Sequence, residues 1–77
     1  MSTTIYTEDH RYVVAQLRKA RREASLDQKE VARLLKKTQS YISKIECGQR
    51  RVDIVELMAF AKLYGKHISY FTPGRNS

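Results

Sequence analysis

The sequence predicts a single all-α domain of five short helices, for three reasons. Apolar residues recur at steps of three and four, the spacing that places them on one face of a helix. Capping residues precede the apolar segments, and glycines follow the third and fourth of them. Strand-like alternation is absent, and the only proline is Pro73. A chain of 77 residues can form one small core.

The first predicted helix runs roughly from Glu8 to Glu23. Thr7 provides a capping side chain, and the acidic first turn and basic last turn suit the helix dipole. The apolar stripe is narrow and consists of Val13, Leu17, Ala20 and Ala24. We expect residues 1–7 to be flexible and residues 73–77 to form a loose tail, which leaves 8–72 as the folded domain.

The second and third predicted helices lie close together, at about 28–35 and 39–47. Asp27 and Glu30 have the spacing of a capping box, and Thr38 can cap the third helix. A glycine follows the third helix, where a left-handed residue commonly ends a helix. The residues expected to face inward are Val31, Ala32, Leu35, Ile42 and Ile45.

The fourth predicted helix covers about 54–64, and a short fifth helix or turn follows it. Asp53 and Glu56 repeat the capping-box spacing, and a glycine ends the fourth helix. The fifth segment carries Ile68 and Phe71. The apolar stripe of the fourth helix is Leu57, Phe60, Ala61 and Tyr64.

Positive charge is concentrated in the middle of the chain. The net charge of +7 is divided into −1 for residues 1–17, +7 for residues 18–51 and +1 for residues 52–77. A polyanion such as nucleic acid is attracted to such a surface, although a merely soluble surface explains the charge equally well. A membrane surface is a third interpretation. It is disfavoured because no helix pairs a broad basic face with a Trp/Phe/Leu face, and no apolar run is long enough to span a bilayer.

Residues 28–47 form the most informative segment. Two short helices are joined by two or three residues, which forces a steep crossing, and Ala32 supplies a small residue at the close approach. The outward face of the second of these helices carries short or flexible hydrogen-bonding side chains. Such groups resemble those that read base edges, and here they are Gln39, Ser40, Ser43 and Lys44, with Tyr41 beside them.

In this pattern the chain resembles the lambda-repressor-like, or Cro/repressor-type, helix-turn-helix DNA-binding domain family over about residues 13–71. The strongest match is QSYISKIE at 39–46, followed by Gly48. LDQ at 26–28 and VDIVEL at 52–57 fit the family in order and spacing. The resemblance implies a compact five-helix lambda-repressor-like domain, with its helix-turn-helix in helices 2 and 3, that binds double-stranded DNA.

The resemblance also implies roles for individual residues. Base readout is assigned to Gln39, Ser40, Ser43 and Lys44. DNA phosphate contacts are assigned to Gln28, Lys36, Lys37, Thr38, Gln49, Arg50 and Arg51. Arg21 and Glu46 are implied to form a structural ion pair. Tyr41 has two interpretations of equal weight, as a DNA contact that stacks on a sugar or thymine or as a cover for the edge of the core.

The turn between the second and third helices departs from the family pattern. Lys36 stands where the family usually has glycine, Lys37 stands where it usually has an apolar residue, and Ser25 replaces another usual glycine. A non-glycine residue in left-handed geometry costs on the order of 1 kcal/mol. Either the turn is reshaped or the two lysines act on DNA phosphates, and both explanations stay open.

Catalysis and metal binding have little support in the sequence. There is no nucleophile–base pairing and no phosphate-cradling glycine loop, and Cys47, His10 and His67 form no cluster at metal-ligand spacing. We therefore expect a protein without enzyme activity, cofactor or metal. The single cysteine and the absence of an apolar leader favour a cytoplasmic, nucleoid-associated protein.

The leading hypothesis is a small transcriptional regulator, a repressor or autoregulator, that binds an inverted-repeat operator as a homodimer. One recognition helix spans only a few base pairs, which is why such domains act in pairs. The alternative is a protein-interaction module, such as an antitoxin that docks a toxin. The polar outward face argues against it, because protein interfaces favour aromatic and apolar anchors. A host regulator, a restriction–modification controller and an antitoxin all stay open as biological roles.

Overall fold

A computed structural model describes residues 7–73, which contain four α-helices and one 3₁₀ turn and no strand. The elements are α1 (Glu8–Glu23), α2 (Gln28–Leu35), α3 (Gln39–Glu46), α4 (Ile54–Tyr64) and the 3₁₀ turn (Ile68–Phe71). The predictions of a flexible N-terminus (1–7) and a loose C-terminal tail (73–77) fall outside the described residues except at Thr7 and Pro73. Thr7 is held as the N-cap of α1, where its hydroxyl accepts the N–H of His10.

The prediction of five helices is wrong in its last member. The segment after α4 is a single 3₁₀ turn, in which the N–H of Tyr70 bonds the carbonyl of His67 at 2.9 Å. His67 caps this turn by accepting a hydrogen bond from the N–H of Ser69 at 3.1 Å. The segment Ile68–Phe71 is only four residues long. It forms hydrogen bonds between residues three positions apart and is too short for a regular α-helix.

Local capping chemistry determines where the four α-helices begin. The carboxylates of Asp27 and Asp53 accept backbone N–H groups within complete capping boxes, and the hydroxyls of Thr7 and Thr38 cap α1 and α3. Gly65 ends α4 in left-handed conformation, with φ of 69°. Each satisfied cap supplies a partner for N–H groups that the first turn leaves unbonded. The predicted helix bounds are therefore confirmed to within one residue.

The turn between α2 and α3 keeps left-handed geometry without glycine. Lys36 has φ of 59° and ψ of 45°, and its N–H bonds the carbonyls of Ala32 and Arg33. The N–H of Lys37 also bonds the Ala32 carbonyl, at 2.8 Å. Lys36 therefore takes the left-handed conformation that a glycine would adopt without strain, and the action of the two lysines on DNA phosphates stays a prediction. Ser25 adopts the same left-handed conformation, with φ of 59°.

The core lies where α1, α2, α3, α4 and the 3₁₀ turn meet. α1 packs against α3, α4 and the 3₁₀ turn, while α2 packs against α3. α1 buries Val14, and Val13, which the sequence placed on the inner stripe, is only partly buried. The largest fully buried side chains are Phe60, Phe71, Leu17, Ile42, Ile45 and Val31. Within residues 7–73, every helix is too short or too polar to cross a membrane.

Candidate nucleic-acid interface

The outward face of α3 is the surface to which the sequence assigned base readout. Gln39, Ser40, Ser43 and Lys44 are all exposed, while Ile42 and Ile45 anchor the opposite side of the helix in the core. Among residues 7–73, no hydrogen bond or ion pair engages the four exposed side chains. Their donors and acceptors are therefore available to an external ligand.

The turn places hydroxyl and ammonium groups at the start of α3. The Thr38 hydroxyl oxygen accepts the N–H of Tyr41 at 3.0 Å, which leaves its own O–H free to donate outward. Lys36 and Lys37 are exposed, and the Lys37 ammonium lies 5.1 Å from the centre of the Tyr41 ring. Two cations thus lie at the helix end from which α3 presents its first polar side chains.

The loop after α3 brings further cationic groups to the same region. Gln49 and Arg51 are exposed, and Arg50 is half-buried. The Arg50 guanidinium lies 4.7 Å from the centre of the Tyr41 ring, the ring that Lys37 also approaches. The turn and the loop therefore converge on Tyr41, beside the outward face of α3.

Tyr41, Arg50 and Glu56 form a tightly bonded cluster, which we call the Tyr41 cluster. The Tyr41 hydroxyl donates to Glu56 Oε2 at 2.7 Å, and Arg50 Nη2 lies 3.1 Å from the same oxygen. Desolvation opposes ionisation of Glu56, but hydrogen bonds from Arg50, the Asp53 backbone N–H and Tyr41 outweigh it and lower its pKa to about 2. Burial, together with the bond to Glu56, raises the pKa of Tyr41 to about 12.

This cluster bears on two of the assigned roles. Tyr41 packs against the core and its hydroxyl is occupied, which favours the interpretation that it covers the core edge. Arg50 has its guanidinium oriented by Glu56, yet 41% of its side chain is exposed, which leaves an edge open to a phosphate. The sequence assigned Glu56 only to a helix cap. No local signal indicates its second role, because 15 residues separate it from Tyr41.

A second network joins the end of α3 to α1 and α2. Arg21 Nε lies 2.8 Å from Glu46 Oε2, and Arg21 Nη2 donates to Glu46 Oε1 at 3.1 Å. Arg21 Nη1 also donates to the Leu26 carbonyl at 3.0 Å. The hydrogen bond with Glu46 raises the pKa of Arg21 against an opposing effect of burial. This two-point pair holds α3 in a defined orientation relative to α1.

Gln28 belongs to this internal network. Its Nε2 donates to Glu46 Oε1 at 3.1 Å, so one of the amide N–H groups assigned to phosphate is used within the protein. The half-buried amide retains a second N–H and its carbonyl oxygen. The sequence gives no local signal for the bond to Glu46, because the two residues are 18 positions apart. The phosphate role of Gln28 stays a prediction.

Comparison with known proteins places this geometry in a family. No curated protein matches the chain at a significant level. A family model described as helix-turn-helix matches residues 17–71, a span that includes α2, α3, the Tyr41 cluster and the Arg21–Glu46 pair. The match covers well over half of the chain. The chain therefore belongs to the Cro/C1-type helix-turn-helix family, whose domains are typical of DNA-binding regulators.

Proposed function

We propose that this protein is a small transcriptional regulator, a repressor or autoregulator, that recognises a specific double-stranded DNA sequence through α3. The observation that carries the proposal is the exposed polar face of α3, whose side chains lack partners among residues 7–73 and whose start is flanked by cations. Such a helix fits the major groove of DNA, where each base pair shows a distinct set of donors and acceptors. The function requires neither a catalytic group nor a cofactor, and it places the protein at the nucleoid.

In this mechanism the two kinds of contact have different tasks. Gln39 reads adenine through a two-point hydrogen bond, and Lys44 reaches guanine or a phosphate. Contacts to phosphates position the domain without reading sequence, and they are made by Lys36, Lys37 and the loop after α3. The positive end of the α2 helix dipole supplies a further position for a phosphate, next to the remaining amide groups of Gln28.

A homodimer on an inverted repeat completes the proposal. One α3 contacts only half of a useful site, and two domains reach successive major grooves about 34 Å apart. The described part of the protein measures 34 × 27 × 20 Å, a size that lets one copy occupy each half-site. An antitoxin-type module that docks another protein is the second candidate. The exposed large apolar side chains favour it, and most of them lie on α4.

Selection from a randomised duplex pool at two salt concentrations tests the function. We expect enrichment of an inverted repeat and a slope of log K against log salt of about −0.9 for each phosphate contacted. Salt-sensitive binding without enrichment would reduce the protein to a nonspecific DNA binder. An absence of binding at either salt concentration would move the function to the protein-docking module.

Two variants separate base readout from phosphate contact. Gln39→Ala should cost about 1–3 kcal/mol for the selected site and little for random DNA, because a base contact matters only where its base is present. Lys36→Ala should weaken binding to the selected site and to random DNA alike, and it should reduce the slope of log K against log salt by about 0.9. If Gln39→Ala weakened all DNA equally, the assignment of base readout to Gln39 would be wrong. Anisotropy titrations with labelled duplexes measure both effects.

A further inference from the structure

The outer side of α4 is apolar, although it faces solvent in the described chain. Ile54, Val55 and Met58 are 60%, 71% and 56% exposed, and we call these three residues the α4 outer face. The inner side of α4 is also apolar and is buried in the core. α4 also carries Glu56 and Lys62, but large apolar side chains exposed together on one side of a helix are normally covered by another surface. No other part of residues 7–73 covers the α4 outer face.

We propose that a second copy of this chain covers the α4 outer face, by antiparallel packing of two α4 helices about a twofold axis near Met58. Met58 lies near the middle of α4 (Ile54–Tyr64), so the axis passes close to the centre of the helix. This contact forms the dimer that DNA binding through α3 requires. Its biological purpose rests on the proposed function. Its physical evidence and its test are independent of DNA.

The distribution of charge along α4 favours a second copy as the occupant. Ile54, Met58 and Lys62 follow one another at steps of four and line one groove with Lys66. Asp53 caps the start of the same helix. When two α4 helices run antiparallel, Lys62 lies beside the partner subunit's Asp53, and the reverse contact follows by symmetry. Opposed helix dipoles add to this attraction, and a twofold contact is self-complementary in the required way.

The position of the α4 outer face agrees with simultaneous DNA binding. Val55 and Ala59 line a shallow groove with Lys37 and Tyr41, so the proposed contact borders the turn before α3. It does not include the exposed side chains of α3, which lie on a different element. Pairing through α4 therefore does not use the four exposed polar side chains of α3.

The size of the α4 outer face predicts a weak dimer in free solution. Its three side chains offer on the order of 300 Å² of apolar surface, the size of a patch that is often functional. A stable interface takes roughly 800 Å² from each partner. We therefore expect a monomer–dimer equilibrium for the free protein, and a duplex with two half-sites shifts it towards the dimer.

Disulfide trapping tests the geometry directly. Met58→Cys in a Cys47→Ser background puts one thiol from each copy at the proposed axis. Two packed helices have axes about 8–10 Å apart, and each Cα lies about 2.3 Å from its own axis. Facing Cα atoms can therefore come about 5 Å apart, a distance that a disulfide spans. The matched control is Ala15→Cys in the same background, an exposed position in α1. We expect at least about tenfold more linked dimer from Met58→Cys in a glutathione buffer. Equal yields from the two variants, or none from Met58→Cys, would overturn the proposal.

Sedimentation of the unlinked protein provides the second measurement. Met58→Asp should raise the dimer dissociation constant at least about tenfold, and Lys62→Glu should raise it several-fold by facing the partner subunit's Asp53 with a like charge. Both positions are exposed, and circular dichroism checks that the variants fold. A parent that is monomeric at millimolar concentration, or a Met58→Asp variant that associates as tightly as the parent, contradicts the α4 contact.

The failure of this contact is distinguishable from the failure of the DNA-binding function. Selection of an inverted repeat without trapping at Met58 leaves the regulator intact and removes α4 as its interface. Trapping at Met58 without any selected DNA sequence leaves the dimer and removes the proposed function. Binding of Met58→Asp to a duplex with one half-site should remain within about twofold of the parent, because α3 is untouched.

Discussion

Removal of Arg21 should destabilise the whole domain before it alters DNA specificity. Glu46 is only 3% exposed, and its two oxygens depend on Arg21 Nε at 2.8 Å, Arg21 Nη2 at 3.1 Å and Gln28 Nε2 at 3.1 Å. Arg21→Ala leaves the buried carboxylate with the Gln28 amide alone, and it also removes the donor to the Leu26 carbonyl. A buried charge without its counter-ion is among the costliest defects that one substitution can introduce.

The size of the loss follows from burial and chain length. Breaking a fully buried pair from one side costs about 3–5 kcal/mol. The Arg21 side chain is 13% exposed, so some solvation is available and the lower end, about 3 kcal/mol, applies. A chain of 77 residues has a total stability of roughly 4–12 kcal/mol. Arg21→Ala should therefore remove a quarter or more of the stability and melt well below the parent.

Urea unfolding followed by circular dichroism measures this loss. Lys19→Ala is the matched control, because Lys19 is an exposed cation on the same helix. The double variant Arg21→Met, Glu46→Leu should lie much closer to the parent than Arg21→Ala does, since apolar residues often replace a buried pair at little cost. At a temperature where it is folded, Arg21→Ala should select the same DNA sequence as the parent. An unfolding free energy for Arg21→Ala within about 1 kcal/mol of the parent would refute this reasoning.

Two further predictions concern acid stability and the left-handed turns. The pKa of Glu56, lowered from 4.5 to about 2, means that its ionised form stabilises the fold above about pH 4.5 and that this contribution is lost as the pH falls towards 2. The parent should therefore lose roughly 3 kcal/mol more than Glu56→Gln between pH 5 and pH 2 in urea titrations, and parallel pH profiles would contradict the role of the Tyr41 cluster. Lys36→Gly should raise the unfolding free energy by up to about 1 kcal/mol, because it relieves a side chain at φ of 59°, and should flatten the salt slope of DNA binding. Ser25→Gly should give the same gain in stability without the change in slope, and a loss of stability in both variants would show that neither turn is strained.

Local interactions explain why so much of the fold could be predicted from the sequence. A capping side chain acts on N–H groups within three residues, so Asp27 and Asp53 determine where α2 and α4 begin whatever surrounds them. The spacing of apolar residues determines which side of α3 is buried, and therefore which polar residues are presented outward. The sequence by itself thus determined the helix bounds, the helix-turn-helix and the residues on its exposed face.

Only the tertiary structure decided the partners of the polar residues. The Gln28 amide bonds Glu46, and the Tyr41 hydroxyl bonds Glu56, because packing brings together groups that are 18 and 15 positions apart. The burial of Val14 ahead of Val13 has the same origin, since the inner stripe of α1 is determined by the elements packed against it. Capping and periodicity act along the chain within one or two turns, whereas hydrogen bonds between helices depend on distances in space. The roles of Gln28, Tyr41, Arg50 and Glu56 follow from packing for this reason.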